Sequence, residues 1–235
     1  VALNRKTQGL IRKSHRYLGL FLGLQFIFWT VSGLYFSWTD IDAIHGDDYR
    51  IQPPSNGFED LLTSDSLFSQ LTISKIALRD LKGIPHFWIN DSELYNASSG
   101  EKRQGISQEE ALYVADQNMI PELIYKSVEL IVSSDAHHEY RGRPLPAYAI
   151  NYKHPEAITA YISYADGGFQ TVRHRDWRWF DFLWMTHTMD YQSRDNFNTT
   201  LLRVFSLLGI ITVLSGFVLF VVSSPTIRKL KGKLF

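Results

Sequence analysis

Eight histidines and no cysteine define the cofactor chemistry open to this sequence. Without thiols there are no disulfides, iron–sulfur clusters, thiolate zinc sites or covalently attached c-type haems, so a cofactor must be held by histidine, carboxylate or aromatic side chains. His45 in IDAIHGDDY and His187 in WMTHTMDY flank the polar middle of the chain at a similar expected level, and an imidazole pair there suits one iron. The plainer alternative gives both rings hydrogen bonds to backbone or lipid headgroups. His15 is simplest as part of a basic collar with Arg12, Lys13 and Arg16, its alternative being a ligand shared with a partner subunit. His137, His138 and Glu139 would diverge on a strand and could converge only in a loop. His86, His154 and His174 have no partner at a telling spacing and read as surface or sheet residues. The adjacent pairs Asp47, Asp48 and Glu109, Glu110 diverge as solvated faces do. There is no Gly-x-Ser-x-Gly, no HExxH and no phosphate-cradling glycine loop, so the sequence offers no catalytic constellation.

The elements that must position these residues begin with an uncharged run from Tyr17 to Trp38. As a helix it reaches about 33 Å, enough to cross a hydrocarbon core of about 30 Å. A second uncharged run covers Val204 to Ser224. The first run is longer than a signal-peptide core and Thr39, Asp40, Ile41 and Asp42 supply no small-x-small site, so it is expected to be retained. Arg5, Lys6, Arg12, Lys13 and Arg16 precede the first span, and Arg228, Lys229, Lys231 and Lys233 follow the second. By the positive-inside rule both termini are expected in the cytoplasm, with the insert outside. Gly19 and Gly23 share one helical face, as do Thr212 and Gly216, which predicts either packing of the two spans on each other or a face kept for another subunit. Gln25 and Thr30 suit hydrogen bonds between helices.

Basic and acidic residues number 24 each, so no global field attracts nucleic acid. The mean hydropathy of -0.14 averages two apolar spans against a polar insert. Within the insert, residues 40–54 read as an exit segment and Leu61 to Leu71 as a short helix. Alternating apolar residues with turns at Gly83 and Ser99, Gly100 predict hairpins over Ile73 to Arg103. Ser107 and Glu110 form a capping box for a helix reaching Met119. Period two returns from Lys126 to His174. KGIPHFWI with its following strand is echoed by RPLPAYAI with its own, which predicts two copies of one α+β unit sharing a sheet. Trp177, Trp179 and Trp184 sit in an aromatic stretch suited to a helix at headgroup level, and Asn198 or Thr199 is placed to cap the second span.

SHRYLGLFLGLQFIFWTVSGLYFSW, ISQEEALYVADQNM, RPLPAYAINY with AYISYADGGFQTV, and FDFLWMTHTMDY before a glycine-containing span together resemble the PepSY-associated transmembrane proteins of bacteria, over nearly the whole chain. The resemblance implies an α+β fold: a periplasmic PepSY-like domain of two related halves over 39–176, bracketed by transmembrane helices at 17–38 and 201–224. A cytoplasmic N-terminus (1–16), an interfacial aromatic segment (177–200) and a basic cytoplasmic tail (225–235) complete the expected organisation in the bacterial inner membrane. The implied function is a non-catalytic accessory protein binding a membrane or periplasmic partner or a second copy of itself; inhibition of a peptidase is a further variant. Some larger relatives carry haem b on membrane histidines and reduce ferric siderophores. By that likeness His15 and His187 are candidate haem b ligands beside His45, although two spans are fewer than those reductases have. With His15 and His187 at opposite membrane faces, the two cannot clasp one iron in one subunit.

Overall fold

The computed structural model describes residues 4–53, 57–59, 61 and 72–224. The helix expected after Leu61 and the basic tail beyond Ser224 fall outside the described residues. In chain order the elements are α1 (Arg5–Trp38), α2 (Ile41–His45), a 3-10 turn (Asp47–Tyr49), β1 (Ile76–Leu81), β2 (Ile84–Ile89), β3 (Glu93–Asn96), β4 (Lys102–Arg103), α3 (Gln108–Asn118), β5 (Tyr125–Ile131), β6 (Ala147–Tyr152), β7 (Thr159–Ser163), β8 (Phe169–Arg173), α4 (Arg175–Thr188) and α5 (Thr200–Ser223). The chain forms two units, one of residues 1–38 and 182–235 and one of residues 39–181, with α4 running from the second into the first.

In the first unit, α1 and α5 are both long and apolar enough to cross a membrane. At about 1.5 Å per residue they extend roughly 51 and 36 Å. The helix of α1 starts at Arg5, so the basic collar is its first three turns rather than a separate tail. Thr199 caps α5, its hydroxyl accepting from the Leu202 amide at 3.2 Å.

The second unit is α+β, with two four-stranded antiparallel meanders, β1-β2-β3-β4 and β5-β6-β7-β8. The two halves therefore do not share a sheet, contrary to the expectation from their repeat. Alternation specifies which face of a strand is buried but not which strand lies beside it. A common core joins them instead: Leu81 and Leu94 from the first sheet, Ala111, Val114 and Ala115 from α3, and Ile150, Ala160, Ile162 and Val172 from the second sheet. The far face of the first sheet buries Phe87, Ile89 and Tyr95, and that of the second buries Tyr140, Ala149 and Tyr161. The segment after α1 is folded as well. Asp40 caps α2, Gly46 ends it at φ 85°, and Ile51 and Ile120 close backbone bonds across to Asn118 and Tyr49.

The capping box is formed as expected, and its glutamate has a second task. Glu110 accepts from the Ser107 amide at 2.7 Å and from both terminal nitrogens of Arg103 at 2.7 and 2.8 Å. Arg103 also donates to His86 Nε2 at 3.0 Å, while His86 Nδ1–H donates to the Ile84 carbonyl. Of the two readings, surface or sheet, His86 takes the second: it is a buried residue of β2 that links β2, β4 and α3. His174 is buried too, its Nε2–H shared between the carbonyls of Ala43 and Ile44 at 3.1 Å.

The Arg103 guanidinium and the Ser107 amide hold the Glu110 carboxyl down at about 2, against the opposing effect of burial. A depressed carboxylate stabilises the fold above its unfolded value of about 4.3, and that contribution disappears as pH falls toward 2. Glu110→Gln is expected to lower stability by up to about 3 kcal/mol at pH 7. Ser107→Ala, which removes only the cap, should cost about 1 kcal/mol, or 2–4 °C. Thermal melts of the detergent-solubilised protein at pH 7 and pH 3 check this: the gap between wild type and Glu110→Gln must narrow at the lower pH.

Candidate functional site

The histidines nominated by the sequence fall into two settings. His15 and His187 both belong to the first unit, and both are anchored in the same way. The Ser215 hydroxyl donates to the Thr212 carbonyl at 2.7 Å, so its oxygen accepts from His15 Nδ1–H at 2.8 Å, and the same N–H reaches Thr212 O at 3.1 Å. The Ser32 hydroxyl donates to the Phe28 carbonyl at 2.6 Å and accepts from His187 Nδ1–H at 2.7 Å. A serine whose own proton is committed fixes the tautomer of each ring, leaving Nε2 as the lone-pair nitrogen. That is how a ligating imidazole is oriented in metal and haem sites, through its other nitrogen. His15, beside the basic collar in sequence, is thus tied to α5.

The two rings do not approach each other. Ser32, which holds His187, is 17 positions beyond His15 on the same helix, about 25 Å along its axis. One iron cannot take both from a single chain. His45 lies in the other unit, exposed at the end of α2, where it borders a cationic cleft.

The face of α1 that makes these contacts has a period the glycines do not show. Positions 15, 22, 29 and 36, with 18, 25 and 32 between them, give His15, Leu22, Trp29 and Phe36 alternating with Leu18, Gln25 and Ser32. That is a heptad seam, and with polar groups on it, it is the signal that could have located the interface. Gln25 donates to Thr186 O at 3.1 Å, Trp29 to His187 O at 2.7 Å, and Phe36 meets the rings of Trp184 and His187 edge-on. Buried Thr212 and Gly209 face α1 from the second span, where a Cβ on Gly209 would stand 3.3 Å from Phe26. A Cβ on Gly216 would stand 3.1 Å from His15, whereas one on Gly19 or Gly23 would meet nothing within 4 Å.

Of the three tryptophans, Trp177 lies beneath the guanidinium of Arg173 at 3.9 Å, Trp179 is largely exposed, and Trp184 packs edge-on against Phe197 at 5.3 Å. His137 and His138 sit in a turn whose amides bond to Asp135, and among the described residues no group of three metal-ligating side chains converges.

A further feature was not singled out by the sequence. β5 is an edge strand, pairing with β6 alone. On it Val128 is half-buried and Leu130 is 47% exposed, and Val132, one residue past its end, is 68% exposed, so its apolar side runs past the shared core. No protein-family model, no curated protein and no solved structure matches this chain.

The contacts at the glycines give a direct test. Gly216→Leu is expected to push His15 off Ser215 and to destabilise the helix pair by about 1–3 kcal/mol, as overpacking does. Gly19→Leu should leave the melting of the monomer in detergent unchanged. Equal losses in both would show that the helices meet on the glycine face instead.

Proposed function

We propose that the protein is a non-catalytic, membrane-anchored accessory module, placed in a bacterial inner membrane with both termini in the cytoplasm and the α+β unit in the periplasm. Its partner is an extended segment of another periplasmic or membrane protein, added as a strand along β5. The exposed apolar edge of β5 carries this reading. Strand addition needs a row of unpaired backbone groups for affinity and alternate side chains for selectivity, and β5 offers both. The two helices support the anchoring, and the basic flanks of the spans support the orientation. A helix followed by a four-stranded meander, α3 with β5–β8, preceded by a second such meander, supports the PepSY-like assignment.

A photo-crosslinking residue at Val132, introduced in intact cells, is expected to give one discrete crosslinked species above the monomer. Leu130→Asp should abolish it with little change in the melting temperature. A crosslink that persists in Leu130→Asp, or none at all from Val132, overturns the reading.

The paired Ser–His anchors favour a second reading, a haem b electron carrier. With His15 and His187 about 25 Å apart along the helix, each would hold a different haem, with a second subunit contributing to each site. Bound haem would supply one-electron chemistry; the serines would hold the rings. Absorption spectra of protein purified from haem-replete cells test this, oxidised and then dithionite-reduced. The expected result is a Soret band with b-type reduced bands, haem retention falling roughly 10–100-fold in Ser32→Ala. A colourless homogeneous protein sinks the reading for this chain alone.

A further inference from the structure

The second unit contains a cleft of about 350 Å³ whose walls carry three arginines and one acid. Arg50, Arg143 and Arg173 line it, with His45 at its edge; the acid, Asp47, is 3.3 Å from Arg50 and exposed like it. At roughly 30 Å³ per water, the space corresponds to about a dozen waters.

Arg173 is the unusual member. It sits on β8, where Val172 faces the shared core and Arg173 the opposite side. Only 8% of it is exposed. Its side chain is held by neutral groups: Nε donates to Glu139 O at 3.0 Å, and Nη1 donates to Thr171 Oγ1 at 2.7 Å and Val172 O at 3.1 Å. Its plane lies 3.9 Å from the Trp177 ring centre. The nearby Glu139 carboxylate is taken by Arg178, at 2.6 and 3.0 Å, and by the Tyr161 hydroxyl at 2.7 Å. Arg143 donates to the Gln170 carbonyl at 2.9 Å. Among the described residues neither Arg143 nor Arg173 has an ion pair, although every other buried or half-buried arginine of the sheet surroundings named here does: Arg79 with Asp166, Arg103 with Glu110, Arg178 with Glu139. Burial, and then the Arg143 charge, lower the Arg173 guanidinium to about 10.

A buried charge is costly unless it is paired, and a second like charge beside it adds to the cost. Two neighbouring guanidinia with no ion pair of their own among the described residues face this cleft. We propose that this cleft binds a phosphate-class oxyanion, the phosphate of a phosphomonoester or phosphodiester, through Arg143 and Arg173 with Arg50 at the mouth. Guanidinium forks match such oxygens in pairs, and a tetrahedral group presents oxygens to more directions than the two of a carboxylate. The volume leaves room for the group esterified to the phosphate. The bearer is either a soluble phosphate ester or the headgroup of an anionic phospholipid.

The test uses the full chain in detergent and in nanodiscs. In detergent, inorganic phosphate and glycerol 3-phosphate are titrated while the tryptophan fluorescence is followed, Trp177 lying against Arg173. In nanodiscs, lipid retention is compared between phosphatidylcholine alone and phosphatidylcholine with phosphatidylglycerol. Saturable binding of the soluble probes, weakened at least tenfold in Arg143→Gln, identifies a soluble ester. Selective retention of phosphatidylglycerol, lost in the same variant, identifies a lipid. Arg143 is half-exposed, so its variant is expected to fold, and an unchanged melting temperature checks that; Arg50→Gln, at the mouth, serves the same purpose with a smaller loss. The proposal is overturned if neither probe binds, or if binding follows ionic strength alone and is equal in wild type and Arg143→Gln. It stands independently of strand addition at β5, since neither set of variants touches the other site.

Discussion

One carboxylate ties α3 to the first meander of the α+β unit. Glu110 closes the first turn of α3 by accepting the Ser107 amide, and its other contacts are the two fork nitrogens of Arg103 on β4. Arg103 in turn completes His86 of β2. Among the described residues the two meanders exchange no ladder hydrogen bonds, so their relation rests on α3, which packs between them, on what ties α3 to the first sheet, and on the Arg79–Asp166 ion pair that joins β1 to the β7–β8 turn. Apolar contact alone would let a helix slide on a sheet. A bidentate Arg–carboxylate pair is directional, and removing one member leaves a buried charge without its partner, which makes the register specific. The same group that starts the helix therefore sets where the helix lies on the sheet.

Much of this was legible because it is local. The capping box is four residues long, the strand alternation has period two, and the cap of the second span is one threonine before a long apolar run. What could not be read is what depends on distant partners. His86 has no informative neighbour in sequence, and it is buried because Arg103 is 17 residues away. His174 is buried because carbonyls 130 and 131 residues earlier accept its Nε2–H. The separation into two sheets belongs to the same category: a repeat predicts two similar meanders and is silent on whether their edges meet. The five-residue α2 is too short to show a period, and only its Asp40 and Gly46 caps mark it.

The two long apolar helices show the same limit in another form. Two glycines four apart indicate where a backbone can approach, not which helix takes the offer. The side of α1 that packs is chosen by polarity, because a hydroxyl, amide, indole or imidazole in an apolar helix must be satisfied by protein. His15, Gln25, Trp29 and Ser32 all find partners on the heptad seam, and that fixes the helix rotation. Gly19 and Gly23 are then carried off the contact face. Read by polar residues first and small residues second, the span would have yielded its interface from sequence.

That rotation constrains any use of the histidines. With both Nδ1–H groups spent on serines and both Nε2 lone pairs available, each ring can give one bond to a metal centre, and the two rings are separated by about 25 Å of helix. On the haem reading, a second imidazole that completed either centre would have to lie at the same depth. A two-fold axis along the membrane normal preserves depth, so it brings each residue near its own copy and near no other level. His15 would meet the partner's His15, and His187 the partner's His187. A dimer about an axis in the membrane plane would instead invert one chain and place its basic collar on the wrong side. On the haem reading the basic end of α1 therefore favours the first symmetry, which would give two such centres per dimer, one toward each face.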